Sequence, residues 1–481
     1  MSKSEKKAAP AAIPTPAIYQ NPFMAPNDFS EIHMNSYQTD TCSVPGPATA
    51  TATLLQQGAI TPPLQIAGSI AFNTAGQIIT IRVGPAVTKD GVESAQTLLL
   101  VDADTLKVLA ELSLPPRPVS TSGVSFSGGG YFYLNHNNQV VCVTATQQIR
   151  IYSVTQNGST WQFVQAKAYD LSATINNQDD ILNSVIPDSA GNLWFITHLG
   201  VVGYVKADGS VIAQSLRTEW PKTTITKSFA SDGSGRVLVV TDEALFCFTA
   251  ATGAGTTPQM LWRSLYDVGT RTKLGQNQRG CGTTPTCFDD FDGNQFVAIA
   301  NNANRLMEVC VYNRQNGALV AKQEVFGEFP YISSCENSLI AVNHSILIEN
   351  NYNNVSEQST LGTLSTVPGI NRVDFDPATG QSKVVWANND VSVPSVVSQL
   401  STGDGCLYTY AKSSDGWYWA ALDFATGKIY ARSEIVPWSQ EGSGALANNF
   451  YSGLTVGPKG SVYVGVLGGI VAWRPNLGAG N

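Results

Sequence analysis

Short apolar runs with a period of two recur along almost the whole chain, each ending in a cluster of Gly, Asn or Asp. A strand leads into such a turn, and a second strand rich in Val, Ile, Tyr and Phe follows. A further turn leads to a third strand, and a less regular fourth completes the unit. Copies begin at Ser69, Gly123, Asn183, Lys227, Thr286, Ser333, Ser398 and Ser452, a spacing of roughly 50 to 60 residues that suits a four-stranded propeller blade with generous loops. Each copy leaves an apolar face that only a neighbouring copy can cover, so repetition predicts one closed ring. The expected fold is therefore an all-β β-propeller of eight blades, or seven if one turn signal misleads. The segment from Ile370 is read as the outer strands of the unit that begins at Ser333. The last unit, around Val456, Val462 and Ile470, is expected to be closed by an N-terminal strand near Ile32 to Tyr37, which removes the exposed sheet edges. Residues 1–30 are expected as a flexible tail, 31–476 as a single domain and 477–481 as a C-terminal tail.

Composition supports strands and turns. The 481 residues include 43 Gly, 24 Pro, 17 Tyr and 18 Phe, while only 13% are charged, against about 25% in an average soluble protein. A net charge of −8 offers no broad positive field to a phosphate backbone or an anionic membrane, so nucleic acid and membrane insertion are not expected. No run reaches the roughly 18 apolar residues of a spanning helix. The basic start MSKSEKKAAPAAIPTP lacks the apolar core of a signal peptide, although the low Lys content leans toward an exported or periplasmic protein. Cys142, Cys247 and Cys310 stand in apolar alternating runs and read as small buried hydrophobes. Cys281 and Cys287 either bridge the loop between them or stand as two thiols.

The ends of the second strands should share one rim of the channel. Aligning the copies on their first turns places Arg82, His136, His198, Asp242, Asn301, His344 and Lys412 there, so three of the four histidines in the chain fall at matching positions. The starts of the innermost strands should floor the same rim, with Asp179, Asp180, Thr284, Thr286, Arg372 and Ser395. Neutral imidazole binds zinc, iron or copper and suits proton transfer near neutral pH. The expected machinery is His136 or His198 as general base, with Arg372 or Lys412 neutralising developing charge and Asp180 assisting. His344, Arg82, Asp242 and Ser395 would line the substrate. A divalent ion would sit on His136, His198 and Asp242. The competing reading is that each histidine caps its turn, as Asn and Asp do at sister positions.

The run DDFDG at Asp289 lacks the length and terminal Glu of an EF-hand and reads as a β-turn. The polar run from Glu349 to Asn354 offers oxygen ligands for Ca²⁺ or a hydroxylated substrate, or simply turn residues. Trp417 and Trp419 alternate with Tyr418, which suits packing between blades. Nucleotide-binding loops, a zinc-protease motif and a nucleophile elbow are missing, so no nucleotide cofactor is expected.

The repeated strand–turn–strand units with terminal closure resemble the broad quinoprotein-like and lactonase-like group of β-propellers. Likeness to the lactonases implies a cation held by a Glu, Asn and Asp set, for which Glu349, Asn301 and Asp180 are the available residues. Likeness to the quinone-dependent dehydrogenases implies tryptophan-docking repeats and an adjacent-cysteine pair, neither of which this sequence has, so a quinone cofactor is not expected. The resulting expectation is an enzyme that hydrolyses or eliminates a small organic or sugar-like substrate at one rim. The alternative is a non-enzymatic propeller that binds a protein or glycan.

Overall fold

The computed structural model describes residues 8–49, 53–61, 65–83, 96–115, 129–253, 255–354, 366–437 and 444–475. Eight sheets stand around one axis. Their innermost strands, blades one to eight in order, are Ile66–Phe72, Phe132–Leu134, Leu182–Pro187, Ala230–Ser231, Thr286–Asp289, Ile340–Val342, Gln399–Ser401 and Leu454–Val456. Seven blades follow the chain outward strand by strand. Blade eight has only three C-terminal strands, and its fourth is Thr53–Ala59, antiparallel to Gly469–Pro475. The eight-bladed ring is thus closed by an N-terminal strand, but that strand is Thr53–Ala59 and not the segment from Ile32 to Tyr37. The strands Ile370–Phe375 and Ser382–Asn388 are the outer half of blade six, as their spacing suggested. Trp417 and Trp419 are fully buried, with Trp417 stacked on Tyr410 at 5.0 Å between ring centroids. All eight cysteines are free, so Cys281 and Cys287 are two buried thiols.

The first turn of a blade has a recurring chemistry. In blades one to five the inner strand ends in an Asn or Asp whose Oδ1 accepts the backbone N–H groups two and four residues later: Asn73, Asn135, Asp188, Asp232 and Asp290. The residue three positions on is left-handed, which favours glycine: Gly76, Gly191, Gly235 and Gly293 have φ between 74° and 84°, and blade two uses Asn138 at 61°. These turns define the lower rim, and the starts of the inner strands define the upper one.

An inner strand is an edge strand, and its outward N–H groups need partners. Residues 29–42 supply them. The carbonyls of Phe29, Ser30, Ser36, Tyr37, Thr39, Asp40 and Cys42 accept, in turn, from Phe72, Leu134, Ser231, Cys287, Ala341, Leu400 and Thr402. The segment therefore touches six of the eight blades while filling the channel, and Thr41–Cys42 lies parallel to Gln399–Ser401 as an extra inner strand. The expected tail before residue 31 is also corrected: Asn21, Met24, Ala25 and Ser30 are buried against the blades. The 477–481 tail lies outside the described residues.

The plug carries charge into the channel. His33 Nδ1 lies 3.0 Å from Asp40, and Ser338 Oγ of blade six lies 3.3 Å from His33 Nε2. Gln38 Nε2 donates to Glu31. Burial pushes Glu31 up to about 8 and raises Asp40. Burial also pushes Glu349, beside the plug on blade six, up to about 7. For His33 burial works downward but is outweighed by the Asp40 carboxylate, so its pKa rises. Below the plug, Arg314 is fully buried and ties three elements together. It donates to Asp232 at 3.0 Å, Asp289 at 2.7 Å and the Tyr37 hydroxyl at 3.1 Å.

Two expected outcomes follow from these charges. Arg314→Leu leaves Asp289 without its cation and Asp232 with Arg236 alone, and should lower the unfolding free energy by about 3 kcal/mol in urea titrations. Lys459→Ala, which breaks an exposed pair with Asp104, should change it by less than about 1 kcal/mol. Glu31 and Glu349 hold protons in the folded chain that the unfolded chain has already released. Their contribution is complete below the ordinary glutamate range and is lost as pH rises through 7 to 8, at about 1.4 kcal/mol per pH unit for each proton held. The melting temperature should fall by several degrees between weakly acidic and weakly basic buffer, and Glu31→Gln should flatten that slope.

Candidate functional site

The rim expected to gather the histidines does not do so. His198 follows the second strand of blade three, Leu193–Thr197, and lies on the upper rim. His136 sits inside the first turn of blade two, between Phe132–Leu134 and Val140–Val143. His344 occupies the two-residue first turn of blade six, between Ile340–Val342 and Ser345–Glu349. The last two are on the lower rim, four blades apart. His136 is exposed and packs edge-on against Phe23 at 5.8 Å. His344 Nε2 bonds Asp290 of blade five at 3.0 Å. Both stand in turns, but their rings meet Phe23 and Asp290 and not the local backbone that a capping histidine would bond.

The remaining expected residues are also scattered. Asp242 accepts the Thr224 N–H on blade four, and Asn301 pairs with Glu308 on blade five. Glu349 accepts from Asn337 on blade six at 2.9 Å. Arg372 lies on the third strand of blade six and not at an inner-strand start. Its guanidinium is locked to Asp374 at 2.8 Å and stacked 4.0 Å over Phe424. Arg82 reaches Thr97 and Glu111 within blade one. Ser395 bonds Asn449, and Lys412, at the upper end of blade seven, is held down in pKa by burial. Asp180 on blade three accepts from Leu199 N–H at 2.8 Å, and burial raises its pKa. Among the described residues no three His, Cys, Asp or Glu side chains come together to hold a metal ion. Neither His136, His198 and Asp242 nor Glu349, Asn301 and Asp180 form a ligand set, because each set spans blades whose side chains are turned to local partners.

Two features of the upper rim escaped the sequence reading. Lys227 and Glu336, at the inner-strand starts of blades four and six, form a buried ion pair joined by Asn277 Nδ2 at 3.3 Å. Burial raises Glu336, while for Lys227 the lowering effect of burial is outweighed by the Glu336 carboxylate. The pair links blades four and six at the upper rim. A lysine inside the weakly polar stretch TITKSFA was the available signal.

The second feature is an exposed apolar patch over blades four to six. Leu274 is 50% exposed, Tyr331 56% and Ile332 38%. They belong to two loops that hold one another: Ser334 Oγ donates to Leu274 O at 2.9 Å, and Arg271 donates to Tyr331 O at 3.2 Å. Tyr331 N–H donates to Arg305 O at 2.7 Å. Beneath Leu274, burial pushes Lys273 down to about 8, and its ammonium donates to Ala303 O at 2.7 Å. Tyr331 has φ of 67°, a conformation that costs a non-glycine residue about 1 kcal/mol or more. The strain points a large aromatic side chain outward.

No family model matches the chain. An uncharacterized protein of Archaeoglobus fulgidus is 26% identical over 355 residues, 67% of this chain and 66% of that relative, so the match spans just under two thirds of the relative's length. Among solved structures, the quinohemoprotein alcohol dehydrogenase of Comamonas testosteroni is 10% identical with a TM-score of 0.56, covering 94% of this chain and 81% of that one. Sqt1 of Chaetomium thermophilum is 13% identical with a TM-score of 0.51, covering 87% and 96%. At such identities the likeness shows the fold alone, a β-propeller shared by redox enzymes and by proteins of other kinds. The expectation of a histidine-based rim enzyme is corrected: its residues are dispersed over both rims, and no metal-holding group exists among the described residues.

Proposed function

We propose that the protein is a binding propeller whose upper rim docks an extended protein segment carrying apolar and acidic side chains. The observation that carries this reading is the strained, exposed Tyr331 beside Leu274 and Ile332, on loops pinned by hydrogen bonds. Apolar area of this kind, rimmed by polar groups, marks interaction sites. Tyr and Arg are the side chains that most often anchor interfaces, because each joins a large contact area to a directed polar end. The cations beside the patch are Arg271 and Arg305, and Arg305 is 62% exposed with only a loose 3.9 Å approach to Glu324. A carboxylate on the partner would find a charge there that the protein leaves largely unpaired. Filling of the channel by the chain's own N-terminal segment supports the same reading, since it turns the accessible chemistry onto the rim.

Panning a displayed 12-residue peptide library on the full chain tests this. Peptides that combine apolar residues with Asp or Glu should be enriched. The best of them should bind at least about tenfold more weakly to Tyr331→Ala and to Arg271→Glu. Phe291→Ala, an exposed aromatic on the lower rim, should bind it unchanged. Enrichment of no peptide, or equal binding to all the variants, would sink the docking reading.

A further inference from the structure

A cleft of about 240 Å³ opens on the upper rim of blade three, between the helical turn Ser172–Ile175 and the outer strands of that blade. At about 30 Å³ per water molecule it has room for a ligand of several heavy atoms. Its walls combine two opposite charges with polar groups of Thr174, Asn177, Gln214 and Ser215 and with apolar surface. Arg217 stands in the turn that follows the outermost strand of the blade. Its backbone N–H donates to Ser215 Oγ and its Nε donates to Thr223 O at 2.9 Å, which fixes the plane of the guanidinium. Neither Nη makes a hydrogen bond or ion pair among the described residues, so the forked end of a held cation is left for a carboxylate. Asp180 is 1% exposed. It accepts from Thr197, from Leu199 N–H and from Ile181 N–H, and a carboxylate has about four acceptor positions, so one is left for a further donor. Asp180 and Arg217 both line the cleft and form no ion pair with each other. Ile175, Leu199 and Val201 provide the apolar part of the lining.

We propose that this cleft binds a small apolar α-amino acid, its carboxylate on Arg217, its ammonium on Asp180 and its side chain against Ile175, Leu199 and Val201. A fixed anion and a fixed cation in one partly apolar cleft match a zwitterion and disfavour a ligand with either charge alone, because the unmatched charge would lose solvent without a partner. The site is a binding site with no bond making or breaking. It is independent of the docking patch and lies on a different blade.

The test is calorimetric titration of the full chain with four probes: L-leucine, L-leucinamide, N-acetyl-L-leucine and 4-methylpentanoate. Leucine should bind, and each analogue lacking one pole should bind at least about tenfold more weakly. Arg217→Gln should remove leucine binding. Asp180→Asn, which keeps the acceptor for Leu199 N–H, should erase the advantage of leucine over 4-methylpentanoate. Folding of both variants is checked by circular dichroism, and if Arg217→Gln is misfolded the Asp180→Asn arm decides. The proposal is overturned if leucine does not bind, if leucinamide or 4-methylpentanoate binds as well as leucine, or if a folded Asp180→Asn keeps the full preference.

Discussion

The inner edges of the ring set the main constraint on this molecule. Eight inner strands present backbone N–H groups toward a channel lined largely by short polar side chains such as Ser69, Ser184 and Ser228, which cannot fill it. An open row of this kind would stay wet or recruit a foreign strand. The chain resolves this internally by laying residues 29–42 across the edges, one carbonyl after another. Because the segment must turn tightly to visit six blades, Met34, Gln38 and Asp40 adopt left-handed backbone at a cost of order 1 kcal/mol each. Its buried polar side chains include His33, which bonds Asp40 and Ser338, Gln38, which donates to Glu31, and Tyr37, which accepts from Arg314.

What remains for interaction is the rim. In blades one to five the lower rim is built from short Asx turns whose side chains bond their own backbone and neighbouring side chains. The upper rim is built from longer connections, and these carry the features with spare capacity: the Leu274, Tyr331 and Ile332 patch and the cleft beside Asp180 and Arg217. A propeller divides labour this way because loops can vary without disturbing the stacked sheets.

The ring was readable in the sequence because its cause is periodic. Alternating runs recur in every unit and Asx–Gly turns in blades one, three, four and five, and blade count and the assignment of the strands from Ile370 follow from them. The histidines were misplaced because two blades hide their first turn. Blade two uses Asn138 where others use Gly, so the glycine run before Tyr131 drew the alignment, and blade six shortens the turn to Asn343 and His344. Those shifts move a residue from one rim to the other. The plug was illegible for a different reason: its partners are backbone groups on six blades, and carbonyl acceptors leave no side-chain signature. Arg217 and Tyr331 lie in irregular loops, where pattern says little about which side chains converge.

The placement of Thr53–Ala59 has a bearing on how the molecule is made. This strand leaves the ribosome well before its partner Gly469–Pro475, which lies about 400 residues further along the chain. Residues 29–42 wait in the same way for blades one, two and four to seven. During synthesis the nascent chain must therefore carry an unsatisfied N-terminal stretch past seven growing sheets before the ring can lock. Contacts so distant in sequence form slowly, and until they form the exposed inner edges are the part of the protein most open to capture by another chain.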